Sequence, residues 1–182
     1  ITSWVAGALI WKWVLSPEYG AINNILALFG IEGPSWLQSS KWAMPAIVLA
    51  SVWKDMGYFG LMLMSGLQGI NQEYYDAAAI DGAGKIKQFT RITLPLLTPT
   101  LFFVLIISLI NSFQLFTQIM IMTPDGGPLG STMVMVERIY KCGFRYYEMG
   151  TAAAYSWILF AILLLLTMVQ MKLQNKWVNY DD

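Results

Sequence analysis

An all-α, polytopic membrane bundle is the fold class this sequence predicts, and three observations carry it. Of its 182 residues 57% are hydrophobic and 12% charged, whereas soluble domains carry about 25% charged residues. Apolar runs free of charge recur at the length of a membrane crossing, about 20 residues in a helix. Polar connections containing Gly and Pro separate those runs, so the chain repeatedly leaves an apolar environment and returns to it.

Four spans follow in order. Residues 2–15 read as the end of one span. Because Ile1 opens inside an apolar run, without Met or a signal-like start, the expectation is a piece of a longer protein lacking its N-terminal spans. Residues 16–40 form a connection with Pro17, Gly20, Gly30, Gly33 and Pro34, and its apolar piece AINNILALFGI suits the membrane interface. Residues 43–67 form the next span, interrupted by Lys54 and Asp55. Residues 95–122 form a long uncharged span with Pro95 and Pro99 at its start, where missing N–H groups cost least. After the turn TPDGGPLGS, residues 132–149 place Met133, Val136 and Tyr140 at helical spacing beside Glu137, Arg138 and Lys141, which predicts an amphipathic helix at the membrane surface. Residues 150–171 are the last span.

The composition also excludes functions. Net charge is zero, which leaves no field for a polyanion such as nucleic acid. There is no His, and the single Cys142 can form neither an internal disulfide nor a metal cluster. Neither a metal nor a cofactor is expected on this chain. Orientation does not follow from charge: Lys85, Lys87, Arg91, Lys172 and Lys176 on one side face Lys41, Arg138, Lys141 and Arg145 on the other, and counting Lys12 with the latter makes the sides equal.

The loop EYYDAAAIDGAGKIKQFTRITLP, residues 73–95, is shaped more carefully than solubility demands. Its first part favours a helix, Asp81-Gly82 breaks it, and residues 83–91 read as a second short helix with Ala83, Ile86 and Phe89 along an apolar edge. Asp81 is expected to cap that second helix, and Gly82 to allow a backbone turn or close approach that a side chain would forbid. A helix–elbow–helix with small residues at its corner suits docking into a groove. Packing of the hairpin on its own bundle is the plainer alternative.

The spacing resembles the EAA loop of ABC-importer permeases: Glu-Ala-Ala, three residues, Gly, nine residues, Ile, one residue, Leu-Pro. Here Asp76-Ala77-Ala78, Gly82, Ile92 and Leu94-Pro95 keep every interval. Asp76 replaces the usual Glu, and Asn71 stands where Ile-Pro normally stiffens the entry. Residues 53–69, FQLFTQIMIMTPDGGP, Thr132, Ile139-Tyr140 and Phe144 extend the resemblance to the first permease of maltose- and glycerol-phosphate-type sugar importers. The resemblance implies a type I importer permease domain over 1–182, with a cytoplasmic coupling loop at 71–95. It implies that Asp76, Ala77, Ala78, Asp81, Gly82 and Ala83 dock on an ATP-hydrolysing subunit pair. It further implies a second permease, an extracytoplasmic solute-binding protein, and a bacterial or archaeal inner membrane. ATP and Mg belong to the partner, since this chain has no Gly-x-x-x-x-Gly-Lys-Ser/Thr loop.

Charges inside a span cost about 2.5–3.5 kcal/mol each on insertion scales, so they face protein or water. Asp55 and Tyr58 share a helix face, and a carboxylate with an aromatic hydroxyl suits a sugar. Pairing of Asp55 with a neighbouring helix, and snorkelling of Lys54, are the structural alternatives. On the next span Ser108, Asn111, Ser112 and Leu115 share a face, where polar residues also glue helices together. The resemblance assigns Asp55, Tyr58, Ser108, Asn111, Ser112 and Leu115 to sugar contact. Lys54 is the only cation deep in a span, which favours a neutral oligosaccharide or polyol over an anion. Trp4, Trp11, Trp13, Trp36, Trp42, Trp157 and Trp177 are expected in the interfacial belt, without a part in binding. The expected function is therefore sugar import by alternating access, without catalysis on this chain. Import of glycerol phosphate or an amino acid, a docking scaffold and a membrane enzyme are the rivals. The enzyme would need converging acids and bases that the sequence lacks.

Overall fold

A computed structural model describes residues 2–178, and among these the regular structure is entirely helical. The helices are α1 (Trp4–Val14), α2 (Ala21–Leu28), α3 (Ala43–Gln68), α4 (Gln72–Ile80), α5 (Lys85–Gln88), α6 (Leu94–Leu96), α7 (Thr98–Phe113), α8 (Thr117–Met122), α9 (Met135–Tyr140) and α10 (Met149–Trp177). Two compact units are present: Ile1–Met56 with Asn111–Ala161, and Gly57–Ile110 with Ile162–Asp182. The domain expected over 1–182 runs past the described residues at both ends.

Two helices are long and apolar enough to cross a membrane, α3 and α10. The span expected over residues 95–122 is not one helix. It bends by 60° between Lys85–Leu96 and Thr98–Phe113, and it breaks again between α7 and α8. The first departure has a local cause. Pro95 removes an N–H and crowds the carbonyl one turn back, and the chain widens just before it into a π-helix over Phe89–Thr93. The 11-residue α1 corresponds to the span end expected over residues 2–15 and falls short of a crossing. The hydroxyl of Ser3 accepts the Ala6 N–H and sets its start.

In the first unit the core is built on small residues. Ala43, Ala46, Ile47 and Ala50 make one buried face of α3, and Ala8, Leu15 and Met122 complete the cluster. Small side chains let helices approach closely, which is how apolar helices associate where lipid is as oily as leucine. Trp11 and Trp36 pack against this cluster rather than serving only as a belt. Asn23 staples the connection before α3: its amide donates to the carbonyls of Pro17 and Pro34, and it accepts Trp36 Nε1–H at 2.7 Å.

The segment after α8 corrects the amphipathic-helix expectation. Glu137 is fully buried and Lys141 nearly so, whereas Met133 and Tyr140 are exposed. The charged face turns inward because its charges answer one another. Lys141 Nζ lies 3.0 Å from Glu137 and 3.8 Å from Asp125, and Arg145 pairs with Asp125. Around them the buried hydroxyls of Thr123 and Thr132 share a 2.9 Å hydrogen bond. Asp125 takes φ 64°, next to the left-handed Gly126 and Gly127. The helix itself widens into a π stretch over Lys141–Arg145.

In the second unit, Gly66 of α3 meets the start of α7. A Cβ at Gly66 would lie 2.5 Å from Thr100 Oγ1 and 2.9 Å from Leu97. Phe102 and Trp177 add an edge-to-face ring pair at 5.9 Å.

Candidate functional site

The break between α7 and α8 opens a pocket within the first unit. The Gln114 N–H bonds the Asn111 carbonyl at 3.1 Å and closes α7, and Phe116 then leaves helical geometry at φ −142°. No Gly or Pro lies between residues 100 and 123 to announce this break. Packing accounts for it. Ile119 and Met122 of α8 are buried, and α8 packs on α1, while the Phe116 ring sits 5.1 Å from Tyr140. The result is a cavity of about 350 Å³ lined by Trp4, Asp55, Asn111, Gln114, Leu115, Phe116, Thr117 and Gln118.

Three of the six expected sugar-contact residues, Asp55, Asn111 and Leu115, meet there. Ser112 belongs to the same unit but lies outside the lining. Tyr58 and Ser108 belong to the second unit, where the Tyr58 ring lies tilted against Phe59 at 5.5 Å and the Ser108 hydroxyl donates to the Leu105 carbonyl. Asp55 forms no ion pair or hydrogen bond among the described residues. Its neighbour Lys54 turns instead to α1, with Nζ 4.4 Å from the centroid of the Trp4 ring, a cation–π contact.

The sequence reading missed five lining residues, Trp4, Gln114, Phe116, Thr117 and Gln118. Trp4, assigned to the interfacial belt, forms a pocket wall. Gln118, only 4% exposed, lines the cavity from α8. A lone Gln in the apolar run TQIMIM was the available signal. A larger hollow of about 550 Å³ lies beside Lys12, Pro17, Pro124 and Pro128. Of its lining hydroxyls, that of Thr123 is already bonded to Thr132.

The second candidate site is the elbow, in the second unit. The Asn71 side chain accepts the Glu73 N–H at 3.1 Å and caps α4, so the residue standing in for Ile-Pro supplies its own stiffness. Gly82 at φ +75° ends α4, with Ala83 N–H bonding the Ala78 carbonyl at 2.9 Å. Asp81 is the C-cap of α4; it does not cap the following helix, whose N-cap is Gly84. The second helix starts at Lys85 rather than Ala83 and passes directly into the π stretch. Tyr75 and Thr93 share a 2.9 Å hydrogen bond that ties its two arms together. Asp76, Ala77, Asp81 and Gly82 are exposed and Ala78 and Ala83 half-buried, and nothing lies within 4 Å of a Cβ built on Gly82. Ile80 and Ile86 project beside the corner at 88% and 83% exposure.

An apolar chain with a polar pocket at a helix break and an exposed elbow is the arrangement against which relatives can be weighed. Residues 3–180 match the family described as the binding-protein-dependent transport system inner membrane component. The chain belongs to that family. It is 35% identical over 180 residues to the probable ABC transporter permease protein YesP of Bacillus subtilis, covering 98% of this chain and 58% of YesP. It is 38% identical over 165 residues to the sulfoquinovosyl glycerol transport system permease protein SmoG of Agrobacterium fabrum, covering 91% of this chain and 53% of SmoG. With the sn-glycerol-3-phosphate permease protein UgpA of Shigella flexneri it shares 36% over 174 residues, or 96% of this chain and 59% of UgpA. The chain thus spans somewhat more than half the length of these relatives. A bacterial ABC transporter that imports the acidic polysaccharide alginate has the same fold, with TM-score 0.85 at 24% identity, over 97% of this chain and 62% of its own. Family and apolar helices together make this a membrane transport component.

Proposed function

We propose that this chain is part of a multi-pass permease subunit of an ATP-driven, binding-protein-dependent importer in a bacterial or archaeal inner membrane. It forms part of the path of a sugar. The polar pocket at the α7–α8 break carries this reading, because a cavity lined by a carboxylate and amides has no use in a chain that only anchors or recruits. Asp55 and Asn111 hydrogen-bond hydroxyls there, beside Leu115; Tyr58, Ser108 and Ser112 contact the substrate elsewhere on its route. Broken helices are how transporters commonly line such sites.

ATP hydrolysis takes place on a separate subunit pair, where Mg and nucleotide bind, and this chain performs no catalysis. The elbow, with Asp76, Ala77, Ala78, Asp81, Gly82 and Ala83, lies in the cytoplasm and seats in a cleft of that pair. Closure of the ATPases pulls the elbow, and the spans rock to turn the pocket from outside to inside. A second permease completes the path, and an extracytoplasmic binding protein delivers the solute. The names of UgpA and SmoG favour one second reading, an anionic glycerol or sugar derivative as solute.

Purification of the full-length parent from its native membrane in mild detergent, followed by mass spectrometry, tests the assembly. An ATPase and a second permease should copurify; a chain that emerges alone, while known complexes survive the same detergent, rejects the reading. Asp55→Ala should change solute affinity or selectivity while the ATPase still copurifies. Unchanged transport across a sugar panel would return Asp55 to a purely structural role.

A further inference from the structure

We propose that α2 is a membrane-interface anchor, whose outer stripe of Ile25, Leu28 and Phe29 enters the acyl chains of the leaflet at the N-terminal end of α3. This goes beyond the transport reading and requires only that α3 crosses the membrane.

For a helix in water, α2 is amphipathic the wrong way round. Its inner face carries the polar group. Asn23 donates to the carbonyls of Pro17 and Pro34 and accepts Trp36 Nε1–H, and a Cβ on Gly33 would collide with its amide. Beside it Ile22 packs against the core cluster of the first unit, and Leu26 is half-buried. The outer face keeps Ile25, Leu28 and Phe29, a single stripe at i, i+3 and i+4. Leu28 and Phe29 are 83% and 77% exposed, and Ile31 extends the patch beyond the helix end. A contiguous apolar patch of this kind marks contact with a membrane or a protein.

Three observations favour lipid. The first is position. The Gly20 N–H bonds the Ser16 carbonyl at 3.0 Å, and a Cβ there would run into the carbonyls of Val14 and Ser16, so α2 starts directly at the end of α1. Towards α3, Trp36 and Trp42 pair edge to face at 5.2 Å just before that helix begins, and indoles collect at membrane boundaries. Near these ends α1 exposes Leu9, Ile10 and Trp13, and α3 exposes Val48, Leu49 and Val52, so the flanking elements share the apolar exterior of α2. The second is charge: residues 19–31 carry none, whereas a protein interface surrounds its apolar centre with a polar rim. The third is the backbone. Gly30 at φ +73° reverses the chain, and the N–H groups of Gly30 and Ile31 bond the carbonyls of Ala27 and Leu26, each at 3.0 Å. The end that carries the most exposed side chains therefore has carbonyls already answered, as an apolar medium requires. With neither Lys nor Arg on the helix, insertion rests on apolar burial rather than on headgroup charge.

The test uses the full-length parent with its copurified subunits in phosphatidylcholine nanodiscs. Amber suppression places a fluorescent amino acid at Leu28 in one variant and at Phe29 in another, and gel filtration verifies assembly of each. Emission should fall when the lipid carries bromine on its acyl chains near the headgroup, and hold when iodide is added to the water. Substituting phosphatidylglycerol for part of the lipid should leave that loss unchanged. Quenching by iodide at either position would show a face in water, and quenching by neither reagent a face covered by protein. Either result overturns the proposal, as does a loss that appears only with phosphatidylglycerol. Neither readout depends on transport, so the anchor can fail while the permease reading stands.

Discussion

Glu137 and Lys141 show how strongly a few charged atoms can shape this chain. Both are buried, 3.0 Å apart, with Asp125 3.8 Å from the ammonium. Taking charges from water is expensive, and mutual attraction recovers that cost only while the pair is complete. Glu137→Leu alone should therefore destabilise the protein by about 3–5 kcal/mol, whereas Glu137→Leu combined with Lys141→Met should come close to neutral. Thermal unfolding of the purified protein in detergent distinguishes the two. If the double variant is as unstable as the single one, the pair contributes more than mutual neutralisation. Asp55 presents the opposite case, a carboxylate that lines a cavity and has no ion-pair partner among the described residues.

At the scale of elements, two glycines act for different reasons. Gly66 is required by space: a side chain there collides with Thr100 and Leu97. Gly66→Val should cost about 1–3 kcal/mol by overpacking, visible as a lowered Tm. Gly82 is required by backbone geometry: its φ is +75° and the space around it is open. Gly82→Val should cost about 1–2 kcal/mol through the left-handed conformation, leave the helices folded, and uncouple ATP hydrolysis from uptake. Uptake at the normal rate by that variant would count against docking of the elbow. The resemblance located this turn correctly, since the Asp-Gly step and the intervals around it are local features. Capping propensity alone misassigned Asp81, because whether an Asp ends one helix or starts the next depends on the backbone angles of Gly82 and Gly84, which composition does not specify.

For the molecule as a whole, Ile80 and Ile86 make the elbow an apolar surface left uncovered among the described residues. Ile80→Glu and Ile86→Glu remove no buried contact, so Tm should hold while the ATPase no longer copurifies; retention of the ATPase by the double variant would place docking elsewhere. The sequence by itself determined the helical membrane class, the positions of α3 and α10, the elbow and its family, because length, hydropathy and spacing along the chain suffice for each. It also pointed to Asp55, Asn111 and Leu115. Only the tertiary structure decided that the 95–122 run breaks after Phe113, that Glu137 and Lys141 face inward, and that Trp4 and Gln118 join the pocket. Residues 100–123 contain neither Gly nor Pro, so local propensity favours one continuous helix. The break exists because Ile119 and Met122 find burial with α8 against α1 while Phe116 finds Tyr140, and partners distant in the chain leave no mark on a local pattern.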